Sequence, residues 1–158
     1  VAARRTEIYD ALTARLKDVA LVRTCEQRLR AYDDVPDAEQ PAVFVVATDQ
    51  SQQYQGRGFP PIWTLRFKLY VYARIPGGDS RATGHDALMP LLDAIEDALL
   101  ATDEEKARDK AAWNTTLGGY CSHARISGTV VTDEGALGEQ AVAMVPIEVL
   151  TTAIMPST

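Results

Sequence analysis

The residues able to do chemistry are few and scattered. Cys121 and His123 stand two apart in a stretch that reads as a strand, a spacing that sets both on one face. Such a pair could serve as a thiol nucleophile with its base, or as half of a metal site. A nucleophile also needs an orienting third group and an oxyanion site, and side chains at i and i+2 on a strand stand parallel rather than converging. Ser122 points to the other face, and Gly118–Gly119–Tyr120–Cys121 is no nucleophile elbow. A metal needs three or four convergent Cys, His or acidic ligands; the only other soft candidates, Cys25 and His85, supply no ligand spacing. Asp93, Glu96 and Asp97 fall on a predicted helix, as a solvated face does, and Asp133 and Glu134 fall in a turn. Gly56–Arg57–Gly58 looks like a phosphate cradle but leads into Phe59, Pro60, Pro61 and a strand. A dinucleotide fingerprint must follow a strand and open a helix, so that context rejects nucleotide binding. The expectation is no catalytic residue, no cofactor and no metal.

The elements that would position these residues follow from periodicity. Residues 4–19 read as a helix, with Ile8, Leu12, Leu16 and Val19 on one stripe and Ala11 filling it. Val22 to Arg30 alternates weakly and reads as an edge strand or one exposed on both sides. Asp33, Asp34, Pro36, Asp37 and Pro41 mark a loop, and Val43 to Val46 a buried strand. Ile62 to Ile75 carries the clearest signal, period two sustained throughout. Trp63, Leu65, Phe67, Leu69, Val71, Ala73 and Ile75 share one face; Thr64, Arg66, Lys68, Tyr70, Tyr72 and Arg74 share the other. Pro76, Gly77 and Gly78 stop it. Residues 86–101 predict a second helix with Pro90 in its first turn, where a missing N–H costs nothing. The charged stretch 102–114 reads as a solvated loop or helical turn. Two strands follow, Tyr120–Thr132 and Gln140–Thr152, joined through Asp133, Glu134, Gly135 and Gly138, with Pro146 predicting an edge or bulge in the last. The expected class is α+β: a mainly antiparallel sheet of about five strands with two helices packed on one face.

Composition narrows the function classes. A chain of 158 residues, 46% apolar and 24% charged, predicts one soluble domain spanning 1–158 that can build its own core. A net charge of −6 argues against a nucleic-acid binder, which advertises a basic patch. No apolar run approaches the ~20 residues of a membrane span, and no signal-like n-region and h-region opens the chain. Two cysteines predict free thiols in a reducing compartment rather than a disulfide framework.

One connection exceeds what folding requires. Asp49 to Pro61 spans thirteen residues where two to five would join a hairpin. It carries Tyr54, Arg57 and Phe59, types that favour interfaces. An interaction arm is the expectation. The polar and aromatic side of the long strand, Arg66, Lys68, Tyr70 and Tyr72, offers a second patch of the kind a ring needs.

Several segments, taken in order, resemble the tail terminator (tail completion) family of siphophages and related prophages. They are Glu7–Ile8–Tyr9–Asp10–Ala11–Leu12 in the first helix, and Gln40–Pro41–Ala42–Val43–Phe44–Val45 entering a strand. Tyr54–Gln55–Gly56–Arg57–Gly58 with Pro60–Pro61–Ile62–Trp63–Thr64–Leu65 follows, then Pro90–Leu91–Leu92–Asp93–Ala94–Ile95. Thr132–Asp133–Glu134–Gly135 and Ala141–Val142–Ala143–Met144–Val145–Pro146–Ile147 complete the pattern, which covers nearly the whole chain. The insert at 102–114 is longer than the family pattern. The resemblance implies a non-enzymatic protein of the virion tail, assembled in the host cytoplasm. It would form a ring, commonly a hexamer, on the head-proximal end of the tail tube. There it would stop polymerisation of the tube protein and present a surface to the head–tail connector proteins. Its partners would be itself, the tube protein and the connector, with no membrane and no sequence-specific nucleic acid. A net negative lining would let DNA slide through such a ring. Three alternatives stay open: another head–tail joining or minor tail protein of similar fold, a small enzyme or ligand-binding domain, and a partner-binding adaptor outside any phage.

Overall fold

The computed structural model describes residues 5–75, 84–133 and 140–152, and its architecture is α+β. The turn residues Pro76 to Gly78 and Glu134 to Gly138 named above lie outside the described residues. The sheet is built on a meander of three long strands, β2 (Ala42–Gln53), β3 (Ile62–Arg74) and β6 (Gln140–Thr151), paired antiparallel in that order. β1 (Thr24–Glu26) flanks β2. β4 (His123–Ile126) and β5 (Val131–Asp133) both flank β6 on its other side.

Alternation explains the core. Leu65, Phe67, Leu69, Val71 and Ala73 of β3 share a buried face with Ala141, Ala143, Val145, Ile147 and Val149 of β6 and with Val43 and Val45 of β2. Over it lie α1 (Arg5–Lys17), through Ile8, Leu12 and Leu16, and α2 (Gly84–Ala98), through Leu88, Leu91 and Ile95. Both helices cover one face, as the predicted stripes require.

Three expectations need correction, although the sheet is mainly antiparallel as expected, with one parallel pair where β1 runs beside β2. A connection long enough to cross over, residues 27–41 with two short 3-10 turns, allows this direction. It also shortens the predicted Val22–Arg30 strand to Thr24–Glu26. That crossover lies on the other face, where Val35 joins Ala42, Phe44 and Tyr72 in a second small cluster. Pro90 lies inside α2, not in its first turn, because the helix starts earlier, at Gly84. Pro90 faces solvent, the side on which a helix can open its ladder at a lost N–H. Tyr120–Thr132 is not one strand but β4 and β5 with a break between them.

The break answers Pro146, which predicted an edge or bulge. β6 is central, yet the Pro146 carbonyl accepts from Ser127 N–H (3.0 Å), so its ring nitrogen also faces the β4–β5 side. The register there shifts between Ile126↔Ile147 and Val131↔Met144, and Gly128 turns beside the ring with φ +111°. The neighbouring edge bulges where the donor is missing.

Candidate assembly interface

The thirteen-residue loop resolves mostly into strand. β2 continues to Gln53, pairing Asp49 with Arg66 and Gln53 with Ile62, so only residues 54–61 connect the two strands. The expectation failed because Asp49-Gln50-Ser51-Gln52-Gln53 has no apolar face; backbone pairing to a strong partner strand, not side-chain burial, extends it. A one-residue bulge at Thr48, whose hydroxyl donates to the Arg66 carbonyl (3.1 Å), marks where this polar half begins.

The tip is held by its own bonds. Phe59 N–H donates to the Gly56 carbonyl (3.2 Å) and the Gln55 amide to the Pro60 carbonyl (3.0 Å). Gly56 and Gly58 take φ of +129° and +89°, open to glycine without strain. Tyr54 and Phe59 are 76% and 67% exposed, and Arg57 is exposed beside them. The three predicted arm residues therefore come together on an ordered hairpin tip, a presentation that suits a partner surface.

The second predicted patch divides. Arg66 and Lys68 stand half-exposed on the β3 face away from the helices. Arg66 reaches Asp49 (3.6 Å) on β2 and Glu148 (4.0 Å) on β6, and Glu148 also accepts from Arg125 (3.2 Å) on β4. Tyr72 leaves the patch. It is 6% exposed, donates its hydroxyl to the Arg30 carbonyl (2.8 Å), and packs edge-on against Tyr32. Tyr70 is half-buried against the same cluster. Period two assigned both tyrosines to the correct face but could not show that the 27–41 crossover covers its far end.

The residues that could do chemistry are placed differently from a simple strand. Leu117, Gly118 and Gly119 all take positive φ, so the chain turns before β4 and alternation does not reach Cys121. Cys121 enters the core, whereas His123 lies on the open face; the two do not share a side. Burial pushes the Cys121 thiol up to about 12, aided by the nearby Glu105 carboxylate, and the Cys25 thiol up to about 11. Both stay protonated, hence poor nucleophiles, at neutral pH. Burial, with Arg125 beside it, holds the His123 imidazole below its ordinary value. Among the described residues no three His, Cys, Asp or Glu side chains gather as a metal would require, and no helix is long and apolar enough to cross a membrane.

The charged stretch 102–114 contains residues that the sequence reading passed over. Thr102 caps α3 (Asp103–Arg108), its hydroxyl accepting from Glu105 N–H (3.2 Å). Glu105 is buried: it accepts from the Thr115 hydroxyl (2.9 Å) and Thr116 N–H (2.7 Å) and pairs with Arg15 on α1 (3.5 Å). Beside it, a surface hollow of about 380 Å³ is bordered by Trp113, Asn114, Ser122 and His123, with Trp113 75% exposed. Only an isolated tryptophan within a run of charges hinted at this.

No family model matches this chain, and no curated protein matches it.

Proposed function

We propose that this chain is a structural assembly protein that forms a ring on the head-proximal end of a phage tail tube, stops its growth and helps join tail to head. Two supports stand behind this reading: the resemblance set out above, and one structural observation that carries it. Two large aromatic side chains and an arginine are exposed together at the end of an ordered hairpin, where folding alone gains nothing from them. The fold supplies a rigid base for that tip through the β2–β3 ladder.

Shortening residues 54–61 to a two-residue turn tests the reading. Loop closure depends weakly on length, so the monomer is expected to keep its thermal midpoint. Electron microscopy is expected to show annuli for the intact protein, and complementation with the shortened chain should give tails of uncontrolled length or tails that fail to join heads. Normal tail lengths and infectious particles from the shortened chain would remove the tip from the mechanism.

A second reading has its own observation, the hollow beside α3 with Trp113 and His123 on its border. A ligand-binding domain would use that hollow, and small-molecule binding followed by isothermal titration calorimetry would then be lost on Trp113→Ala with the thermal midpoint unchanged.

A further inference from the structure

One row of charged side chains crosses the sheet on the face that the helices leave open, with one member from each of four neighbouring strands. Asp49 on β2 is in register with Arg66 on β3, Arg66 with Glu148 on β6, and Glu148 with Arg125 on β4. The ion-pair distances along the row are 3.6, 4.0 and 3.2 Å. The signs alternate, so the row starts on an acid at one side of the sheet and ends on a base at the other. Arg66 and Glu148 each have an opposite charge on both sides. Asp49 and Arg125 have one only within this row, and they are its most exposed members, at 66% and 46%. The row is unfinished at both ends, and each end is the complement of the other.

We propose that copies of this chain join side to side, the β2 edge of one against the β4 edge of the next, with Arg125 of one copy facing Asp49 of its neighbour. This rests on the ring reading and names the joint that would close it. Strand direction agrees. β2, β3, β6 and β4 alternate in direction and are even in number, so rotation about an axis along the strands sets β2 beside a β4 running the opposite way. Antiparallel neighbours make the better ladder. Coverage agrees as well. β1 shields β2 only at Ala42–Phe44, and among the described residues no strand pairs with the outer edge of β2 at the level of Asp49. The outer edge of β4 is engaged at Ala124, whose N–H donates to the Thr115 carbonyl (2.9 Å), so the contact centres on Arg125 and the residues after it. The joint is heterologous: its two patches differ, so it propagates from copy to copy until a ring closes. A single exposed ion pair adds little affinity; here it sets register and excludes wrong pairings.

Charge reversal tests the joint directly. Full-length wild type, Asp49→Lys, Arg125→Glu and an equimolar mixture of the two variants are compared by native mass spectrometry and negative-stain electron microscopy. Wild type is expected as annuli. Each variant alone sets like charges across every joint and is expected to run as monomer at concentrations roughly tenfold or more above the wild-type midpoint. In the mixture, the new lysine meets the new glutamate and the native Asp49 meets the native Arg125. Every joint of an alternating ring is then complementary, and annuli of even subunit number should return. Circular dichroism identifies a variant that fails to fold; Asp49→Asn and Arg125→Gln then take its place and are expected to weaken assembly and flatten its salt dependence. Annuli from both single variants at the wild-type midpoint overturn the joint and leave the ring reading standing, as does a mixture of folded variants that stays monomeric. A wild type that is monomeric at every concentration overturns the ring reading and the joint with it.

Discussion

At the residue scale, most of what matters is decided by which face a side chain takes and what covers it. Phe67 lies in the main core with its ring 5.3 Å from that of Tyr9 on α1. Phe67→Ala is expected to cost about 3–5 kcal/mol in urea unfolding, the range for truncating a packed aromatic. A cost under about 1 kcal/mol would mean that α1 does not pack there. The two thiols make a pH prediction. Both are held above an ordinary value near 9, so the folded state keeps protons that the unfolded chain releases first. Their contribution to stability is therefore full below pH 9 and is lost as pH rises through about 11 for Cys25 and about 12 for Cys121. A Cys25→Ala, Cys121→Ala double variant should lose less stability between pH 9 and 12 than wild type does. Equal slopes in the two proteins would contradict the burial of these groups. Tyr72 shows the limit of reading single residues: its face was legible, its cover was not.

At the element scale, the edge facing β6 is shaped by a residue on β6 itself. Pro146 removes a donor, β4 and β5 part opposite it, and Gly128 fills the gap at φ +111° with its Cβ position 3.4 Å from the proline ring. Gly128→Val puts a β-branched side chain on a backbone conformation that L residues rarely adopt and is expected to destabilise by about 1–3 kcal/mol. Thermal unfolding would measure it, and an unchanged midpoint would show that the bulge can take another conformation. The distal half of β2 shows the opposite relation. Nothing in Asp49 to Gln53 predicts a strand, yet β3 supplies the ladder. A strong strand imposes structure on a weak neighbour because each pairing satisfies backbone groups whatever the side chains are.

At the scale of the whole molecule, the sheet has two unlike sides. Beneath the helices it is apolar and closed; its other face is capped at one end by the 27–41 crossover and crossed nearer the hairpin tip by the charged row. If that open end joins copies, folding and assembly are linked by mass action. The thermal midpoint should then rise with protein concentration, and tenfold dilution below the assembly midpoint should abolish the rise. A midpoint independent of concentration while annuli persist would mean that the joint adds nothing to stability.

The sequence by itself determined the α+β class, the two amphipathic helices, the inward faces of β3 and β6, and the disturbance at Pro146. Each is a local matter of period, of burial or of a missing donor, written in consecutive residues. Only the tertiary structure decided the parallel pairing of β1, the start of α2 ahead of Pro90, the burial of Tyr72 and Glu105, and the separation of Cys121 from His123. It alone aligned Asp49, Arg66, Glu148 and Arg125. Those four residues are scattered between positions 49 and 148, and register, not spacing, brings them into one row. Strand register depends on how whole elements pair, so no window of sequence contains it.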